Sequence, residues 1–439
     1  MTSPSPFILD PGSRWYGNDG NWSTFNIGVG QPFQQFTVLP STRSADIWVP
    51  VADGCAGLSW NGFDCANSRG VGTVQGVQSP GFLSNESTSW QQLGLYRLPT
   101  EDALYGSENN GLYGLDTLAL SDNYEVSLYN WTIAGIATPD FWLGMLGLGS
   151  ESMNITVLEN STPSLLTTMK ADGKIPSISY GYAAGAFYES SPGSLILGGW
   201  DEARLSDGSI VVPNDDKSDL FVNLKSLVVS NSLQGTISFP DETKNLTMAI
   251  DSTTSQIWLP RGICDKFESA FGLVDDPNTG LYLVNATTHS QLLNLNPEFT
   301  FTLAANASTS STTNIVLPYA ALDLTVGVPF YNSSSTIRYM PIRRADNSTQ
   351  YTLGRALLQE AYLIVDYERS NFTIGQTSHN KEKRIVPITS PRDRRGKSLG
   401  SGAIAGIVVG GVVALVFLTT LVWYFFRQRS KTDHKIGEA

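Results

Sequence analysis

Two ten-residue stretches gather the side chains that could do chemistry. STRSADIWVP (41–50) and DSTTSQIWLP (251–260) each open on a turn of small hydroxylated residues and run into an Ile-Trp strand that ends on Pro. The second holds Asp251, a carboxylate able to take or give a proton. The first has Ser41 in that place, and Arg43 and Thr253 stand at matching third positions. A nucleophilic Ser41 would need a general base, and the only histidines are His289, His379 and His434. His289 falls in NATTHS, read as a glycosylated surface loop, and the other two lie beyond residue 376, so a Ser-His-Asp site is not expected. Asp46, five residues past Ser41 on the following strand, is not expected to reach the same point. Three cysteines do not fill a structural zinc site, and neither a metal nor a cofactor is expected.

The two stretches are halves of a repeat. Ile47, Trp48 and Pro50 match Ile257, Trp258 and Pro260, while Thr42 falls on Ser252 and Ser44 on Thr254. A second pair, MLGLG (145–149) and TLGRALL (352–358), follows in the same order at nearly the same offset. Two correspondences in one order imply a duplicated lobe.

The elements that position these turns read as strands. Residues 22–38 alternate apolar and polar around a Gly-Gln-Pro turn, as a hairpin does. GLDTLAL, GSLILGG, GTISF and NIVLPY continue the pattern, with short helices expected only near 162–170 and 264–272. A chain of 439 residues exceeds what one core usually organises, and charged residues are only 15% of it, which favours a two-lobed, all-β protein. Residues 377–439 hold 11 Lys and Arg against 4 Asp and Glu, leaving 17 against 36, a net of −19, for residues 1–376. A body this acidic is a poor partner for nucleic acid.

Residues 402–426 form an uncharged, mostly apolar run long enough to cross a bilayer as one helix. Its aromatic end, Trp423 to Phe426, precedes Arg427, Arg429 and Lys431, as at a membrane interface. Basic residues flank both ends, so charge does not orient the span. Asn-X-Ser/Thr signals do: Asn21, Asn85, Asn130, Asn154, Asn160, Asn245, Asn285, Asn306, Asn332, Asn347 and Asn371 all precede it, placing the body in a lumenal or extracellular space at the cell surface or in a vacuolar or secretory compartment. No signal peptide is visible at the start; either a leader is missing or the protein is tail-anchored with a cytosolic body, and the first is preferred. Cys55 and Cys65, ten apart in a Gly/Asn-rich loop, are placed to close a small disulfide; three free thiols are the alternative, and Cys264 has no evident partner.

These motifs together resemble the pepsin-like aspartic proteases. ADIWVP (45–50) resembles the strand after that family's first catalytic turn, and FNIGVGQPFQQFTV the hairpin before it. YGSENNGLYGLDTLAL (105–120) looks like the flap, FWLGMLGLG (141–149) the segment after it, SLILGGWD (194–201) the lobe junction, and LGRALLQEAYLIVDYERSNFTIG (353–375) the end of the second lobe. The resemblance implies a bilobal β fold with a cleft: a tail at 1–14, lobes at 15–190 and 191–376, a basic linker at 377–401, the transmembrane helix at 402–426 and a cytoplasmic tail at 427–439.

In that family each lobe supplies one Asp from an Asp-Thr/Ser-Gly-Ser/Thr turn. Two carboxylates about 3 Å apart share a proton, so one activates water while the other polarises the scissile carbonyl. The turn Gly lets the backbone approach the carboxylates without a Cβ clash. Here Ser41 replaces the first Asp, and Arg43 and Thr253 replace the two Gly residues; Asp251 survives. Arg43 either pairs with Asp251 across the cleft floor or points to solvent, leaving Asp251 a hydrogen-bonded turn residue. Tyr105 falls near the place of the flap Tyr, whose hydroxyl in the family bonds the Trp indole, here Trp48. With Thr254 these residues outline a cleft for an extended peptide or protein ligand. The expectation is a membrane-anchored, catalytically impaired relative that binds peptides. The alternatives are an active aspartic endopeptidase working through Asp251 and a structural cell-surface glycoprotein.

Overall fold

A computed structural model describes residues 4–391 apart from 59–62, 75, 101, 107–108, 122–125, 153–160, 215–218, 240–243, 245, 332–335 and 380–381. The apolar run 402–426 lies outside the described residues; among those described, no helix is long and apolar enough to cross a membrane.

The structure is built mainly from strands, and its duplication is visible in the sheet order. In the first half Gln34–Ser41 runs parallel to Gly144–Gly147, which lies antiparallel to Ile47–Pro50, which runs parallel to Val126–Ile136. In the second half Leu246–Ile250, Thr352–Leu353, Ile257–Pro260 and Ile342–Ala345 repeat the same neighbours and directions. Met145 pairs with Trp48, and Thr352 pairs with Trp258. Each turn is therefore wedged between two strands of its own sheet, and that fixes where residues 41 and 251 point. Gly147 and Gly354 permit the wedge, since a Cβ at either would collide with backbone at residues 45 or 256. A third sheet of six strands draws from both halves, in the order Phe7–Leu9, Ser194–Leu197, Ser179–Ala183, Ala361–Asp366, Asn371–Gln376 and Ile210–Pro213.

The hairpin expected at 22–38 forms from Trp22–Val29 and Gln34–Ser41. Its strands are buried on both faces rather than one, with Phe25, Ile27, Val29 and Val38 on one face and Trp22, Thr24 and Leu39 on the other. Helices at Leu165–Ala171 and Arg261–Phe271 occupy the two expected places. NATTHS is not a loop: Asn285 caps a helix, Ala286–Leu295, by accepting from the Thr288 amide, and an Asn cap followed by residues without Gly or Pro is sufficient reason for it. His289 lies on this helix and its Nε2 pairs with Asp323 Oδ2 at 2.8 Å.

Cys55 and Cys65 are joined, with Cα atoms 5.8 Å apart. Cys264 is a buried free thiol, pushed up to about 12 chiefly by burial and therefore protonated and unreactive. Asn21, Asn85, Asn130, Asn285, Asn306 and Asn347 are exposed and Asn371 half-buried; Asn154, Asn160, Asn245 and Asn332 lie outside the described residues.

Candidate active site

The two turns meet between the halves and hold each other through their second residues. Thr42 N donates to Ser252 Oγ at 2.9 Å, and Ser252 N donates to Thr42 Oγ1 at 3.0 Å. Each hydroxyl then donates across: Thr42 Oγ1 to Ile250 O at 3.2 Å, and Ser252 Oγ to Pro40 O at 2.7 Å. All four groups are buried, so this reciprocal clasp sets the distance between residues 41 and 251. Thr42→Val would orphan the Ser252 amide and remove one donor from the Ile250 carbonyl, a loss of about 1–3 kcal/mol. A denaturant titration should show the midpoint fall with an unchanged slope, and Thr42→Ser should recover most of it.

Ser41 takes up the hydrogen-bonding role of a carboxylate oxygen. Its Oγ accepts from the Ser44 amide at 3.0 Å and the Arg43 amide at 3.4 Å, and faces Thr253 Oγ1 at 3.5 Å. Asp251 Oδ1 accepts from the Thr253 amide at 2.8 Å and from the Thr253 hydroxyl. A hydroxyl and a carboxylate thus occupy equivalent points, both almost wholly buried. The pair cannot share a proton as two carboxylates do, because an unassisted Ser hydroxyl does not ionise in the range where a carboxylate works.

Neither Arg43 nor Thr253 has a left-handed backbone. A side chain at either position therefore takes up space without straining the backbone. Thr253 spends that space by laying its hydroxyl on Asp251. Arg43 follows neither of its two expected courses alone. Its Nη2 bonds Asp219 Oδ2 at 2.9 Å, while its Nη1 stands 4.0 Å from Asp251 Oδ2. The guanidinium brings positive charge to the cleft floor but is anchored on a carboxylate no motif had marked.

The flap differs from expectation in shape. Strands Gln91–Arg97 and Asn110–Leu120 form its hairpin, and Tyr105 ends a helical turn, Asp102–Tyr105, near its tip. Its ring packs on Phe141 at 4.7 Å, and Phe141 packs on Trp48 at 4.9 Å. Phe141 thus comes between the two aromatics expected to touch. Tyr105 is near Thr254, and burial, with the Asp251 charge, raises its pKa. Trp48 Nε1 is buried beside Asp46 and Tyr113. Asp46 lies below the floor, as expected: Tyr113 donates to its Oδ2 at 2.6 Å, and burial raises its pKa.

Three further residues support the site, and no motif pointed to them. Arg355 is buried inside the TLGRALL segment and donates to Ser252 O at 2.7 Å and Thr253 O at 2.8 Å, behind the second turn. It also approaches Asp19 Oδ2 at 3.7 Å and covers the Trp22 ring at 4.8 Å. Asp19 is held by Trp22 Nε1 at 2.7 Å and Ser255 Oγ at 2.5 Å. Arg69 fastens the loop that carries Phe141, donating to Trp142 O at 3.0 Å and Phe141 O at 3.2 Å. Burial lowers its pKa to about 10, so it stays charged at neutral pH. An Arg inside an apolar run, as in TLGRALL, was the only available signal.

Beside the Asp251 turn opens a cavity of about 350 Å³, walled by Trp22, Tyr105, Phe141, Trp142, Trp258 and Phe330 with Arg343 among them. Two duplicated β units that join at paired turns beneath a flap define a pepsin-like architecture. The sequence profile of the family described as eukaryotic aspartyl protease matches residues 24–377, and the chain belongs to that family. Candidapepsin-3 of Candida albicans (strain WO-1) is 24% identical over 370 residues, covering 83% of this chain and 81% of the relative. Secreted aspartic protease 8 of Candida albicans is 24% identical over 375 residues, covering 84% and 80%.

Proposed function

We propose that this chain is a membrane-anchored member of the pepsin-like family that has lost peptide-bond hydrolysis and captures extended peptides in its cleft. The observation that carries the reading is Ser41: its hydroxyl accepts the turn amides at 3.0 and 3.4 Å where a second carboxylate would have to act. Asp251 alone cannot serve as base toward water and as acid toward the carbonyl at once. Thr253 supports the same reading by placing its hydroxyl on Asp251 Oδ1, where a nucleophilic water would need room.

Binding is supported by what is kept. The clasp, the flap hairpin and a cavity of mixed aromatic and polar lining are present, and an extended peptide can add to such a cleft by main-chain hydrogen bonds. The anchor rests on the apolar run 402–426, and a lumenal body on eleven glycosylation signals ahead of it. The relatives named as secreted proteases and the Cys55–Cys65 bond agree with a body in an oxidising space.

The test is cleavage of a mixed peptide pool by the purified chain at acid pH, with and without a transition-state inhibitor of aspartic proteases. The expected result is no inhibitor-sensitive turnover, and the same trace from Asp251→Ala. Turnover that the inhibitor blocks and Asp251→Ala removes would overturn the loss of chemistry.

A further inference from the structure

The wall of the cavity beside the Asp251 turn contains a cation that no carboxylate among the described residues bonds directly. Arg343 lies on Ile342–Ala345, in register with Trp258 on the parallel neighbouring strand. Its guanidinium sits over the Trp258 ring at 4.6 Å, half-buried. Among the described residues it makes no hydrogen bond or ion pair. Arg355, in the same wall, differs: its Nη1 donates to the Ser252 and Thr253 carbonyls and its Nη2 approaches Asp19. Asp140, the acid that shares the cavity lining with Arg343 besides the engaged Asp19, is exposed at the rim; it and Asp346 act on Arg343 at a distance, and neither forms an ion pair with it. Tyr105 lines the cavity as well and brings a neutral hydroxyl, since its pKa is raised.

An arginine whose face is covered by an indole still offers its edge, a planar fork of N–H donors that matches a carboxylate. Leaving that fork unpaired where the guanidinium is half-buried against an indole is unfavourable, and a ligand oxygen there relieves it. The body around it is strongly acidic, with a net of −19 over residues 1–376. Acidic peptides are therefore repelled at long range, and their capture requires a local cation. We infer that Arg343 makes the cleft selective for peptides that place a carboxylate in this cavity, next to Tyr105. The inference rests on the peptide-binding reading above and names the class of peptide it takes.

The experiment uses the full-length chain in mild detergent and fluorescently labelled peptides. A randomised octapeptide pool, blocked at both ends, is passed over the immobilised chain. The best retained acidic sequence is then compared with its Glu→Gln twin, and a third peptide carries Gln with a free C-terminus. The blocked Glu peptide is expected to bind about tenfold tighter than its Gln twin, equivalent to about 1.4 kcal/mol. Tighter binding by the free C-terminus alone would keep Arg343 as the carboxylate site but identify a chain end, not a side chain, as the group it holds. Arg343→Gln should abolish the difference, and Arg343→Lys should restore part of it. Because Arg343→Gln could also lose binding by misfolding, Arg343→Glu supplies the control: it should bind a Lys-containing twin better than the Glu peptide, a reversal that misfolding cannot produce. Equal binding of all three peptides by the unaltered chain overturns the inference and leaves peptide capture standing. No retention of any peptide overturns both.

Discussion

Ser41→Asp, combined with Arg43→Gly and Thr253→Gly, is expected to convert the chain into an acid-active peptidase. Its turnover should exceed that of the unaltered chain by about 10²–10⁴-fold, the range that a positioned acid/base pair contributes. The backbone is ready for the change. The Thr42–Ser252 clasp already holds the two turns together, and the Ser44 and Arg43 amides already point at the side chain of residue 41. Ser41→Asp alone should give little. Arg43 Nη1 stands 4.0 Å from Asp251, and the new carboxylate would be drawn into an ion pair instead of sharing a proton. Thr253 would still cover Asp251 Oδ1. Measured on one peptide across acid pH, the triple variant should show a bell-shaped rate, since one carboxyl must be protonated and the other ionised. A triple variant that folds, with an unchanged denaturation midpoint, yet shows no turnover would mean that the cleft is closed to water for a reason outside these three side chains.

Arg355→Met is expected to cost about 3–5 kcal/mol of stability, the scale of breaking a buried charged network from one side. The loss arises because the Ser252 and Thr253 carbonyls, bonded at 2.7 and 2.8 Å, would be left facing an apolar side chain. Asp19 would lose the nearby positive charge at 3.7 Å, although Trp22 and Ser255 would still hold it. The readout is the denaturant midpoint. Arg355→Lys should recover little, because one ammonium on a flexible stem does not reproduce a planar group whose Nη1 bonds two carbonyls while Nη2 approaches Asp19 and the plane covers Trp22. A midpoint unchanged by Arg355→Met would mean that the clasp alone holds the second turn.

Much of this molecule was legible from one dimension, for a definite reason. The duplicated turns, the Ile-Trp strands and the MLGLG and TLGR segments are local patterns, and a strand buried on both faces or a Gly pressed against backbone restricts residue choice at its own position. The replacement of a carboxylate by Ser41 could be read in the same way, since it needed only the comparison of residues 41 and 251. Cys55 and Cys65 were close enough in sequence for their loop to suggest the bond.

What the tertiary structure decided are the matters of reach. Arg43 turned out to be shared between Asp219 at 2.9 Å and Asp251 at 4.0 Å, because a long side chain takes its partner from whichever strand lies opposite. Phe141 came between Tyr105 and Trp48 because Arg69, from a helical turn far away in sequence, pins the loop that carries it. Asn285 made a helix of NATTHS through one capping bond. The chain order alone thus determined the strands, the duplication and the pairing of Ser41 with Asp251 at matching places, since each constrains its own position. The occupants of the cleft, Arg343 over Trp258 and Arg355 behind the second turn, were decided only in three dimensions, because a charge's partner depends on distances that sequence separation does not encode.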